Sequence, residues 1–349
     1  MKTRLLLLIT TIMLLAACSP APKPGQPETL TVVTHDSFSV SEKVIATFEQ
    51  ENNAKVVFLK SGDAGAALNK AILTKGAPLG DVFFGVDNTF LSRALEEELF
   101  LPYTSPLLAA IPAEFKLDGS NRATPVDYGD VCINYDIAWF QSRGLKVPQT
   151  LEELADPAYK DLLVVENPAT SSPGLAFLLA TVAHFSEAGY LDYWQQLKEN
   201  GVVIANDWNS AYYTSFSGSS GKGSQPMVVS YASSPAAEVI FADPPRTDAP
   251  TASITGKDTC FRQVEFAGIL KGTKHELLAG KFIDFLLSRS FQEDTPLQMF
   301  MYPVDPQAKL PEEFTKFAQT ASEPVQMDPQ SIASYRDKWI RAWSQVMLP

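Results

Sequence analysis

"GDVFFGVDNTFLSRALEEELF" runs from Gly80 to Phe100 and contains one complete unit of the fold. Gly80–Asn88 is a short apolar run with a polar tip, which reads as a strand. "TFLSRALEEELF" then repeats apolar residues at helical spacing. The same unit stands twice upstream. "TLTVVTHDSF" (29–38) is a β-rich run, and "SEKVIATFEQENN" (41–53) opens on a cap residue with an apolar face behind it. "AKVVFLKSGDAG" (54–65) is strand and turn, and "AALNKAILTKG" is helix ending at Gly76. Strand alternating with helix predicts a mostly parallel sheet with helices on its faces. Each early strand ends in polar residues: Asp36 with Ser37, Gly62 with Asp63, Asp87 with Asn88. In open parallel sheets the ligand crevice lies beyond those carboxyl ends. Asp and Asn also favour turns and helix caps, so both roles stand at this point.

Two longer extended runs break the alternation: "ATPVDYGDVCINYD" (123–136) and "DTCFRQVEFAGIL" (258–270). They predict two chain crossings between two α/β lobes. At 349 residues the chain exceeds one ordinary core, which agrees with two lobes. Asp127 and Tyr128 lie on the first crossing, where a hinge hydrogen bond and a ligand contact are equally compatible with the sequence.

"NPATSSPGLAFLLA" (167–180) places Thr170, Ser171 and Ser172 before an apolar helix, with Pro173 at its first turn. Hydroxyls there cap a helix. They also suit a polar or anionic ligand, because the first-turn N–H groups are free and the helix dipole is positive at that end, although caps are far commoner than anion sites.

The N-terminus addresses the chain for export. Lys2 and Arg4 precede "LLLLITTIMLLAAC", which is too short for a stable membrane span, and residues 1–17 read as a signal peptide. "LAAC" (15–18) resembles a bacterial lipobox, which makes Cys18 the expected lipidation site. The Pro-rich segment 18–28 reads as a tether, with the folded body starting near Thr29.

Apolar residues make up 45% and charged residues 19%, as in a folded soluble body. The formal charge of −12 argues against nucleic acid as partner, and loss of Lys2 and Arg4 with the leader deepens it. Cys132 and Cys260 remain as an even pair in an oxidising compartment. His35, His184 and His275 are far apart, and no HExxH or CxxC occurs, so neither a metal nor a cofactor is expected.

Catalytic motifs are missing as well. "SGSSGKGS" (217–224) lacks the phosphate-loop spacing, with Phe216 and Gly223 at the deciding positions, and reads as a surface loop. Its SxxK has no companion motif, and no GxSxG occurs. No nucleophile–base pair supports an enzyme, so a surface hydrolase is an unsupported alternative.

Eight segments stand together in one order: "LTVVTHDSF", "DVFFGVDN", "PVDYGDVCINYD", "NPATSSPGL", "DWNSAY", "VVSYASSPA", "VEFAGI" and "MYPV". In this the chain, from Leu30 to its end, resembles the thiamine-binding receptors of bacterial ABC importers, of the type II periplasmic-binding-protein fold. The resemblance implies two lobes around a cleft, 29–126 with 262–310 and 127–261 with 311–349. It implies capture of thiamine or thiamine phosphate and delivery to a permease and ATPase, by a monomer that meets the membrane only through its lipid.

Such a ligand wants ring faces, carboxylates near its cation, and hydroxyls at its tail. The expected faces are Trp208, Tyr212, Tyr231, Phe300 and Tyr302. Asp36, Asp63 and Asp87 would supply charge, with Ser37 and Asn88 beside them and Ser234 near the rings. Ser171, Ser172 and Gly174 would hold the tail. The chain departs from the family at Phe300, where Trp is usual, and at His35, where Tyr is usual. The ferric-ion receptors share the fold but carry adjacent ligating tyrosines where only Tyr231 stands here; Tyr212-Tyr213 precedes the loop. In this fold the crossing strands run side by side, which implies a Cys132–Cys260 disulfide.

Overall fold

The computed structural model describes residues 26–348. The leader and Cys18 lie outside them. Eleven strands are joined in one sheet path: β1 (Glu28–Thr34), β2 (Ala54–Lys60), β3 (Val82–Asp87), β4 (Phe100–Leu101), β5 (Thr124–Asp136), β6 (Leu163–Glu166), β7 (Val203–Ala205), β8 (Met227–Tyr231), β9 (Thr251–Ile254), β10 (Phe261–Leu270) and β11 (Tyr302–Pro303). The main order is β2-β1-β3-β10-β5-β8-β6-β7. β1, the first element of the described body, starts at Glu28.

The expected alternation holds at both ends of that path. β1 pairs in parallel with β2 and β3, and β6 with β7 and β8. The two long extended runs are β5 and β10, paired antiparallel to each other and to β3 and β8. The sheet is thus mixed at its centre, because strands that cross between lobes enter against the direction of the outer ones. β5 and β10 slip register at Glu265/Phe266, a bulge at the crossing point.

Alternation along β3 builds two cores. Phe83 and Phe84 are both fully buried but belong to different clusters, as successive strand residues must. Phe84 packs with Phe38, while Phe48 of helix Glu42–Asn52 meets Phe282 and Phe285 of helix Glu276–Leu286. Phe83 joins the larger cluster, which includes the helical segment Ser172–Glu199, broken at Ser186 where φ is 63°. That helix buries Leu175 through Thr181 without a gap, which explains its unbroken apolar run. The C-terminal helix Pro329–Met347 packs on it through Trp343 and Trp194, 5.5 Å apart edge to face.

Cys132 on β5 and Cys260, the residue just before β10, have Cα atoms 4.3 Å apart and are joined as a disulfide. Two segments differ from their expected form. "TFLSRALEEELF" is helical only over Leu91–Glu96, since Leu99 and Phe100 turn back into the core as β4 begins. Ser217–Ser220 forms one helical turn ended by Gly221 at φ 68°, and Ser217 donates to Asp136 at 2.6 Å; the expected loop is anchored.

Candidate functional site

A cleft of about 540 Å³, including its open mouth, lies where the carboxyl ends of β1 and β2 face those of β6 and β8. His35, Ser37, Asp63, Trp208, Tyr231, Ser172, Ser234, Glu265 and Phe300 line it, with Ala64, Pro173, Met299 and Met301 between them. No Lys or Arg is among the lining residues.

Several expected residues meet here. The Asp63 carboxyl accepts from its own helix at Ala64 N, 2.7 Å, and from Trp208 N across the cleft, 2.9 Å. It opens on the cleft but is otherwise enclosed, and desolvation raises its pKa to about 6 against the pull of those donors. The Trp208 ring is fixed on both sides: its Nε1 donates to Ser230 at 2.9 Å, which meets Ser234 at 3.0 Å, and its face stacks on Tyr212 at 4.9 Å. The Tyr231 hydroxyl accepts from Gln263 at 2.9 Å. Phe300 reaches the cleft from a backbone at φ 58° and packs edge-on to Phe241.

The Ser-rich helix start is not a simple cap. Ser171 stands at the N-cap position of Ser172–Glu199, but its side chain makes no cap bond. Its hydroxyl faces Asp63, and Ser172 donates to Asp87, fully buried behind it. The hydroxyls therefore reach across to strand tips of the other lobe. Ala66 N donates to Thr170 O at 3.2 Å in the same contact.

Other expected residues take different roles. Asp36 is exposed and accepts from Gly62 N at 2.9 Å, tying two strand-tip loops together outside the cleft. Asn88 grips β10, donating to Arg262 O and accepting from Val264 N, both at 3.0 Å; it belongs to the crossing strand. Gly174 is a packing glycine: a Cβ there would lie 2.4 Å from Glu166 O. Tyr212 is buried behind Trp208 and donates to Glu238 at 2.8 Å. Tyr302 stacks on Tyr128 at 5.4 Å and does not line the cleft.

Two acidic residues at the site, Glu166 and Glu265, were not singled out from the sequence, and Asp127, left open between hinge and ligand contact, joins them. Glu166 ends β6 fully buried, and neither carboxyl oxygen has a hydrogen-bond partner. Its pKa is pushed well above the usual range by burial and then by the Asp63 charge. Asp127 and Glu265 face each other in register on β5 and β10. Burial raises Asp127 to about 7, and burial followed by the Asp127 charge raises Glu265. Asp87 is raised by burial too. Glu166 follows the strand-tip rule that found Asp63, while Glu265 stood out only as a lone carboxyl inside "VEFAGI". His35, beside them, is held down to about 4 by burial and the Lys60 charge, so it is neutral at physiological pH. Among the described residues no set of three or more His, Cys, Asp or Glu is arranged to hold a metal ion.

This geometry can enclose a flat ligand between Trp208, Tyr231 and Phe300 and neutralise positive charge on it. Residues 77–318 match the family described as bacterial extracellular solute-binding protein. The thiamine-binding periplasmic protein of Brucella suis is 30% identical over 348 residues, covering 97% of this chain and 98% of that one. A solved periplasmic thiamin binding protein superposes with a TM-score of 0.82 at 26% identity, over 95% of this chain and 99% of the other. The apo ferric ion-binding protein A of Pasteurella haemolytica, at 16% identity and TM-score 0.73, covers 91% of this chain and 98% of its own. That likeness is one of fold alone. The chain belongs to the bacterial extracellular solute-binding proteins and has their two-lobe, type II periplasmic-binding fold.

Proposed function

From that membership we propose that the protein captures thiamine, or thiamine phosphate, outside the cytoplasm and hands it to an ABC permease and ATPase without changing it. One observation carries the reading. Asp63, Asp87, Asp127, Glu166 and Glu265 are gathered in and behind a cleft whose lining contains no Lys or Arg. Enclosed carboxyls without a cation are costly, and a permanently charged thiazolium offsets that cost where it binds. Trp208, Tyr231 and Phe300 supply faces for its rings; a cation over a desolvated ring gains about 2 kcal/mol. Ser172, on the cleft lining, would hold the tail of such a ligand, with Ser171 buried behind it rather than on the lining.

The ferric reading is weaker on the same page. Tyr231 is the one tyrosine lining the cleft among the described residues, since Tyr212 and Tyr302 are turned elsewhere. A thermal-shift panel of thiamine, its phosphates, ferric ion and polyamines separates the readings. A ligand at about 100 times its dissociation constant stabilises the fold by about 2.7 kcal/mol. A shift with thiamine or its phosphate supports the proposal, and a shift with iron alone overturns it.

The anchor is part of the same reading. "LAAC" ahead of the Pro-rich segment supports acylation of Cys18 and retention at the membrane surface, with the body acting as a monomer. Replacement of Cys18 by Ala should release the protein into the soluble fraction; unchanged membrane retention would contradict it.

A further inference from the structure

The structure gives His35, at the first strand tip, a specific setting. The His35 ring lies over Gly85, at φ 98°, where any Cβ would come within 2.3 Å of His35 Cδ2. Gly85 thus leaves the room that the ring occupies. Phe84 flanks it at 5.9 Å. Its Nε2 is buried, has no hydrogen-bond partner, and stands 3.5 Å from Glu265 Oε1. A buried ring nitrogen left without a partner is costly, and both groups line the cleft.

We propose that His35 and Glu265 together form the edge that reads the aminopyrimidine of the ligand, His35 Nε2–H donating to a ring nitrogen and the Glu265 carboxylate accepting from the neighbouring amino group. The inference rests on the thiamine reading and narrows it to one part of the ligand. An amidine edge presents an acceptor beside a donor, which is the complement of a neutral imidazole N–H beside a carboxylate. The chemistry requires the imidazole to be neutral, since a second positive charge would repel the thiazolium. Burial and Lys60 hold it so, with Asp36 pulling weakly the other way. The carboxylate must be ionised to accept from the amino group, and a bound cation favours that form. His35 adds a donor at the rim of the cleft.

The test uses oxythiamine, which carries an oxo group and a ring N–H where thiamine carries an amino group and a bare ring nitrogen. Its donor and acceptor are reversed. Titration of the whole protein should show thiamine bound roughly tenfold or more tighter than oxythiamine, because a site built for hydrogen bonds rejects an analogue that leaves them unmade. His35→Phe keeps a ring and loses the donor, and should narrow that ratio; His35→Gln retains an N–H and should restore part of it. Equal binding of the two ligands by the unsubstituted protein would overturn the inference, and so would a ratio unchanged in His35→Phe. The comparison in the unsubstituted protein stands even if a variant fails to fold. Absence of thiamine binding altogether would remove the underlying reading, an outcome distinct from loss of selectivity.

Discussion

Asp127 and Glu265 sit directly opposite each other where the two crossing strands slip register, both buried and with no Lys or Arg bonded to either among the described residues. Like charges so placed hold protons that water-exposed carboxyls would release. A cationic ligand must displace those protons. Binding should therefore weaken as pH falls through the raised values, about 6 for Asp63 and about 7 for Asp127. Calorimetry in buffers of different ionisation enthalpy should detect protons released on binding near pH 6. Affinity that is constant or rising toward acid would contradict the carboxylate account.

The unliganded protein should respond to pH in the opposite sense. Carboxyls raised in the folded state contribute stability that is fully present at low pH and lost as pH rises through their folded values. Asp63, Asp87, Asp127, Glu166 and Glu265 all act this way. His35 opposes them: its folded value of about 4 means stability is lost as pH falls below its usual 6.5. Five groups outweigh one, so Tm should rise between about pH 7.5 and about pH 5. A scanning-calorimetry series that falls over this range would show that the cleft carboxyls are not perturbed as described.

Trp208 should report the ligand. Its ring lines the cleft, while Trp139 lies under Arg143 at 4.0 Å and is not among the lining residues. Replacing Trp208 by Ala should weaken binding more than replacing Trp139, by at least the 0.5–1.5 kcal/mol or so of an aromatic pair. Ligand should also change tryptophan fluorescence in the unsubstituted protein and less so in Trp208→Ala. Equal small effects at both positions would place Trp208 outside the binding contacts.

The hinge strands carry the last stability prediction. The Cys132–Cys260 bridge spans 128 residues of sequence. A loop that long constrains the unfolded chain, a gain on the order of 4–5 kcal/mol in the loop-entropy account, less any native strain. Mass spectrometry of the unreduced mature protein should find one linked peptide pair, and reduction should lower Tm. Two freely alkylated thiols in denatured, unreduced protein would contradict it.

The layout of the fold was legible because it follows from periodicity. Strand tips at Asp63 and Asp87, two crossing runs and the apolar helix that opens at Ser172 could be read from spacing, and the eight ordered segments supplied the two lobes. The site was less legible because it depends on which way a tip side chain turns. Asp36 and Asn88 belong to the same kind of strand tip as Asp63, yet they bond to Gly62 and to β10. Tyr212 and Tyr302 are aromatic like Tyr231 but fill space behind Trp208 and beside Tyr128. Gly174 is required by the approach of Glu166 O, a contact between segments that no local pattern encodes. Glu265 was hidden by its apolar neighbours; its position opposite Asp127 depends on the register of β5 and β10.

The most direct test of the central claim is a calorimetric titration of the mature protein with thiamine at neutral pH, followed by recovery of the ligand. The account predicts saturable one-site binding and thiamine returned chemically unchanged. No saturable heat with thiamine or thiamine phosphate, or recovery of a converted product, would contradict it.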